Sequence, residues 1–173
     1  MHKQMIINAG EVKIFDNNVV LNPLSTEVSL YTELKKTNQE KIIYYSAKKA
    51  GKEWFGNMIN KYGMKAKDVM TWGPELIDLG GWGIVKPLEA DMMKKEFTFE
   101  LQKSTFARQY GKSTEAVDYY FRGFVTGAWS AITNTELEGI EIKCAAKGDA
   151  TCKFLLKEKT KFDSKDPLVI KQL

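Results

Sequence analysis

The chain is 173 residues long, 43% hydrophobic and 28% charged, enough for one domain with a real core and short for two. Its net charge of +4 is carried by lysines spread along the chain with no Arg-rich block, which argues against nucleic-acid binding. No apolar run approaches the roughly 18 residues of a membrane span, and none follows Met1-His2-Lys3-Gln4, so neither a membrane helix nor a signal peptide is expected.

In chain order, residues 11–21 read as a short β-hairpin turning at Asp16-Asn17-Asn18 and ended by Asn22-Pro23. Ser25 or Thr26 is placed to cap a short helix running to about Lys36. The segment from Gln39 to Tyr62 is the clearest helix. Ile43, Ala47, Ala50, Trp54, Met58 and Tyr62 recur every three or four residues, with lysines on the other faces, and Gly63 is the expected stop. A second helix is expected over 65–79, interrupted near Trp72-Gly73-Pro74. Gly80-Gly81 breaks it. Residues 82–88 and 94–103 read as antiparallel strands, with Phe97, Phe99 and Leu101 on one face of the second.

Residues 106–111 read as a connection, and Ser113-Thr114-Glu115 as the opening of a helix to about Thr133. Gly123 and Gly127 lie four apart in that helix. Each costs roughly 1 kcal/mol in a helix interior, which points to close packing against a neighbour. The polar stretch after Lys157 leads to Pro167–Leu173, read as an edge strand or a partner-binding tail. No internal repeat, GxGxxG or GxxxxGK[ST] motif is present. The expected architecture is α+β, an antiparallel sheet covered by helices.

Both cysteines fall in one stretch, Glu141-Ile-Lys-Cys144-Ala-Ala-Lys-Gly148-Asp149-Ala-Thr-Cys152-Lys-Phe154. A turn on Lys147-Gly148-Asp149 would set Cys144 opposite Cys152. Three readings follow: a buried apolar pair, a disulfide, or half of a metal site. The disulfide is disfavoured by two cysteines without an export signal, which suggest a reducing cytoplasm. Two thiolates need carboxylates or histidines to complete a zinc shell. Strict alternation sends Glu141 to the face opposite Cys144, so it joins only if a bulge or the strand end turns it round. The only histidine is His2, which argues against a Ser-His-Asp triad, a His-ligated haem and a His-rich zinc centre.

Glu115-Ala-Val-Asp118-Tyr-Tyr-Phe-Arg-Gly123-Phe-Val-Thr-Gly127, followed by Glu141-x-x-Cys144-x-x-x-Gly148-Asp149-x-x-Cys152-x-Phe154, resembles the 4-vinyl-reductase-like domain. That family includes stand-alone archaeal proteins, a bacteriochlorophyll biosynthesis protein and aromatic-sensing domains of bacterial regulators, and it is related in structure to TRAPP vesicle-tethering subunits. The resemblance is specific over about residues 105–157 and looser over 28–104. It implies a domain over 26–158, with 1–25 as an N-terminal hairpin extension and 159–173 as a C-terminal tail.

The resemblance also implies a zinc site. Glu141, Cys144 and Cys152 stand at the matching spacing, and Asp118 aligns where aromatic-sensing members place a cysteine, a departure expected to harden and weaken the site. Such a closed site is structural, not catalytic. The family further implies an apolar pocket, for which Trp54, Met58, Trp72, Phe97, Phe99 and Phe124 are the candidate lining residues. The phenol sensors orient their ligand with a His and a Trp; without that histidine, a more apolar ligand is expected here.

The reading is therefore a cytoplasmic, homodimeric binding module for a small hydrophobic molecule, a sensor or ligand carrier stapled by zinc, with any signal passed to a separate partner. One alternative is a reductase or chaperone acting on a vinyl-bearing tetrapyrrole, although no nucleotide-binding fingerprint supplies a hydride. Another is a non-enzymatic interaction adaptor.

Overall fold

The computed structural model describes residues 5–173. In order, the elements are β1 (Met5–Asn8), β2 (Glu11–Ile14), β3 (Asn17–Val19), α1 (Leu24–Lys36), α2 (Lys41–Tyr62), α3 (Ala66–Leu79), β4 (Ile84–Asp91), β5 (Glu96–Gln102), α4 (Thr105–Tyr110), α5 (Tyr119–Thr133), β6 (Glu138–Lys143), β7 (Cys152–Lys157) and α6 (Pro167–Gln172). His2 lies outside the described residues.

The main sheet grows from the alternation of β5. Phe97, Phe99 and Leu101 are buried while their neighbours are only partly so. In the antiparallel pairing with β7 they meet Leu156, Phe154 and Cys152 respectively, and the Phe99 and Phe154 rings stack at 5.2 Å. The strand order is β4-β5-β7-β6, antiparallel throughout, which is the α+β class the sequence predicted.

Helix α5 lies over this face, with Phe121 against both Phe99 and Phe154. Helix α2 crosses α5 at backbone contact. A Cβ on Gly123, Gly127 or Gly51 would overlap a carbonyl oxygen of the other helix: Tyr44, Lys48 and Phe124 respectively. Small residues on both helices allow that approach, so the two glycines of α5 serve close packing, as their spacing suggested.

Several boundaries differ from the sequence reading, each for a local reason. The N-terminal hairpin turns on Phe15-Asp16, both with positive φ (49° and 61°). Ile14 pairs with Asn17, and β1 adds a third strand to that sheet. Helix α3 runs unbroken through Pro74.

Residues 106–111 form most of α4, capped by Ser104, whose Oγ accepts from the Ala107 amide at 3.0 Å. Helix α5 begins at Tyr119, not near Ser113. The Ser113 hydroxyl accepts from the Glu115 amide in a turn, the Ser113 amide donates to the Ala146 carbonyl at 2.8 Å, and Ala116 and Val117 are buried in the core.

The C-terminal segment is a docked helix, not an edge strand. Asp166 caps it through the Leu168 amide with Pro167 in the first turn, and Val169 joins Phe162 and Ile140 in a small core on the outer face of β6.

Candidate metal centre and ligand cavity

The β6–β7 connection is longer than a three-residue turn. Lys143 is the last residue of β6, a 3₁₀ turn occupies 145–147, Gly148 takes the left-handed conformation (φ 101°), and β7 starts at Cys152. The Asp149 carboxylate accepts from the Cys144 amide at 2.8 Å and fixes the loop. Between Glu141 and Lys143 the register shifts by one residue in a bulge. The bulge reverses the alternation, so Glu141 and Cys144 come together on the buried side despite their odd spacing.

Asp118, at the N-cap position of α5, faces them. Ligand atoms of Asp118, Glu141, Cys144 and Cys152 all lie within 4.8 Å of one another, and all four residues are buried. The two thiols are unbridged. Ser104 donates to the Asp118 carboxylate at 3.1 Å, the Asp118 amide donates to Glu141 Oε2 at 3.1 Å, and the Ala145 amide donates to Cys152 Sγ at 3.2 Å. Glu141 Oε1 is buried with no hydrogen-bond partner among the described residues.

Burial pushes Asp118 up to about 7. It lifts Glu141 well above the usual carboxylate range, with the charges of Asp118 and Cys144 adding to the effect. The Cys152 thiol donates to Cys144 and draws it down to about 6, and Cys152 is itself driven upward.

Four acids in one dry volume need protons or a cation. The donors fit a borderline-soft divalent ion. Two thiolates disfavour magnesium and calcium, two carboxylate oxygens complete a tetrahedral S₂O₂ set, and the unpaired Glu141 Oε1 is available to ligate. Ligands about 2.0–2.3 Å from a tetrahedral ion sit about 3.3–3.8 Å apart, so the donors need only a small contraction around it.

A cavity of about 350 Å³ lies on the other side of α5, roofed by the N-terminal sheet and walled by α2, α3, α5, β4 and β5. That volume is at the small end of ligand sites, which run about 300–1,000 Å³. Trp54, Phe97, Phe99 and Phe124 line it. Met58 and Trp72 do not: Met58 is fully buried beside the Phe15–Asn17 turn, and Trp72 sits one layer back, stacked on Phe55 at 6.0 Å and packed on Phe15. A helical stripe gives a face but not a depth, and both residues lie on the right helices at the wrong depth.

The sequence reading missed Trp82, Tyr120 and Trp129, which also line the cavity. Trp82 stacks on Tyr120 at 5.0 Å and Trp129 on Phe97 at 4.2 Å. It also missed a polar element. Glu27 of α1 lines the cavity with Oε2 buried and unpartnered, and the Trp54 indole N–H is likewise buried without an acceptor among the described residues. Burial raises the Glu27 carboxyl above its usual range. Nothing in the local pattern distinguishes Glu27 from any other first-turn carboxylate.

A bulged hairpin, a helix carrying Asp118 and an adjoining aromatic cavity define an α+β domain with a buried acid–thiol cluster, and the sequence agrees with a known family over that region. Residues 97–158, which hold all four clustered side chains, match the vinyl-4-reductase (V-4-R) domain.

Across the whole fold, the chain is similar to the phenol-responsive sensory domain of the transcription activator PoxR, solved with phenol. The TM-score is 0.79 at 18% identity, covering 99% of this chain and 93% of that one. It is also similar to a vinyl-4-reductase family protein from Methanocaldococcus jannaschii (TM-score 0.54, 16% identity, 81% and 83% covered). A third likeness is to trafficking protein particle complex subunit 3 from Naegleria fowleri, covalently bound to palmitic acid (TM-score 0.57, 15% identity, 78% and 91% covered). No curated protein matches the chain by sequence. The shared fold takes in the N-terminal sheet and α6, beyond the reach of the sequence resemblance.

Proposed function

We propose that this chain is a small-molecule-binding domain of the sensory kind, enclosing an apolar ligand in the cavity beneath the N-terminal sheet. The observation that carries this reading is the cavity itself: about 350 Å³ walled by Trp54, Trp82, Phe97, Phe99, Tyr120 and Phe124, in a fold shared with a phenol-responsive sensory domain. Affinity would come mainly from burying apolar ligand surface, at about 25 cal/mol per Å² before ordering costs.

We further propose that Asp118, Glu141, Cys144 and Cys152 hold a zinc ion. Bound there, zinc would supply a structural cross-link between the start of α5 and the β6–β7 hairpin. Four protein ligands leave no open position for catalysis. Phe121 and Phe124, one turn further along α5, line the cavity, so the same helix joins staple and pocket.

Ile7, Val20 and Leu21 are large apolar residues exposed on or beside the N-terminal sheet, which supports a homodimer formed through that sheet. No helix among the described residues is long and apolar enough to cross a membrane.

Native mass spectrometry of protein purified without added metal, followed by organic extraction, tests the whole reading. One zinc per chain, lost in Cys144→Ser, and a co-purifying apolar molecule are the expected results. A chain that carries no metal, binds none on titration and yields no extractable ligand would overturn it. Light scattering reports the dimer separately.

A further inference from the structure

We infer that the cavity selects a cationic ligand: a small apolar molecule carrying a protonated amine. This rests on the ligand-binding reading above and names the class of ligand.

The argument is one of charge. The chain carries 26 lysines and arginines against 22 acids. Yet among the described residues the cavity is lined by two carboxylates, Glu27 and Glu89, and by no Lys, Arg or His. Elsewhere the fold pairs its buried carboxylates. Glu138, for example, accepts from Lys48 at 2.9 Å and from the Tyr44 hydroxyl at 2.6 Å. Glu27 Oε2 is buried without any such partner.

A desolvated carboxylate facing an apolar cavity is costly unless a cation or donor meets it there. The surrounding walls suit a cation. The Tyr120 ring is stacked between Trp82 at 5.0 Å and Phe124 at 6.3 Å, and Trp54 meets Phe124 edge-on at 5.5 Å. Tyr120 also feels the Glu27 charge, second only to its own burial, which places the carboxylate close to these rings. A carboxylate beside electron-rich aromatic faces is the arrangement that binds ammonium groups. A neutral aromatic without a donor would leave Glu27 Oε2 unpaired, and an anionic ligand would face two carboxylates with no compensating cation.

Three probes of nearly equal size separate these cases: 2-phenylethylamine, 2-phenylethanol and phenylacetate, titrated calorimetrically into the full chain at pH 7.5. The amine is expected to bind at least tenfold more tightly than the alcohol, and phenylacetate most weakly. Glu27→Gln, nearly isosteric and on a half-buried helix turn, should bring the amine down to the alcohol's affinity. The alcohol itself should change less than twofold, with an unaltered thermal melt confirming the fold.

An alcohol that binds as tightly as the amine overturns the charge assignment and leaves the ligand-binding reading standing. So does an amine preference that survives Glu27→Gln. If none of the three probes binds, both fall together.

Discussion

Gln172 completes the hydrogen bonding of Glu141 on both sides of its backbone: its Nε2 donates to the Glu141 carbonyl at 2.9 Å, and its Oε1 accepts from the Glu141 amide at 2.8 Å. The same Oε1 accepts from Arg122, a fully buried arginine held between the rings of Tyr44 and Tyr119 at 4.4 and 4.6 Å. One amide on α6 thus fixes the strand that presents Glu141 and solvates a buried guanidinium. Gln172→Ala leaves a charge and two backbone groups unpaired. Each buried unsatisfied group costs about 1–3 kcal/mol, and more when charged, so a loss of about 3 kcal/mol in urea unfolding is expected. A loss below about 1 kcal/mol would mean that water replaces the amide.

The α2–α5 crossing makes opposite predictions for two glycines. Gly127→Ala drives a Cβ into the Lys48 carbonyl, backbone against backbone with no side chain to yield, so the helices must separate. A loss of at least about 2 kcal/mol is expected, in the range of overpacking. Gly56, also inside α2, has nothing within 4 Å of its Cβ position, so Gly56→Ala should gain about 0.5–1 kcal/mol from helix propensity. Chemical denaturation of the two variants checks both signs at once.

Much of this architecture was legible because it rests on periodicity. The 3.6-residue stripe of α2, the alternation of β5 and the glycine pair of α5 each mark a face directly. The metal cluster was legible only in part. Spacing brings Cys144 and Cys152 to one hairpin, but alternation places Glu141 on the wrong face, and only the bulge before Lys143 corrects it. Bulges follow from sheet-wide twist and packing, not from a local pattern. Glu27 was illegible for the same reason: its isolation depends on α1 lying against a cavity whose other walls, Tyr120 and Phe124 among them, are distant in sequence. The start of α6 was misread although its signal, Asp166 before Pro167, was local.

Asp118 makes the proposed metal site harder than one with a third thiolate. Asp118→Cys replaces a carboxylate oxygen by sulfur at a buried position 3.1 Å from the Ser104 hydroxyl. It should raise zinc affinity at least tenfold and cobalt affinity less. Substituted cobalt gives a direct readout, because each added thiolate strengthens the sulfur-to-metal charge-transfer band. Asp118→Asn keeps the shape but removes the charge and should weaken zinc at least tenfold. Equal affinities in all three proteins would place Asp118 outside the shell.

The same cluster predicts pH dependences of opposite sign with and without metal. In the chelated protein, burial raises Asp118 from 3.8 to about 7 and lifts Glu141 well above 4.5. Cys144 is drawn down from 9.0 to about 6 by the Cys152 thiol, which is driven upward. The folded cluster therefore holds its four protons until about pH 6 and about two of them beyond pH 7. The unfolded chain has shed both carboxylic protons by about pH 5 and keeps its thiols to about pH 8.5. Between about pH 4 and 7 the native state binds more protons than the unfolded state, so stability falls as pH rises through that window. The raised carboxyl pKa values outweigh the depressed Cys144 there. With zinc bound the sign reverses, because the metal displaces those protons and its affinity grows as they become easier to remove. Melting temperatures recorded from pH 4.5 to 8 should decline in chelator and climb in excess zinc, the two curves diverging above about pH 6. Asp118→Asn should flatten the chelated curve, and Cys152→Ser should abolish the zinc limb. Parallel curves in chelator and zinc would show that the four side chains do not bind the ion as a unit.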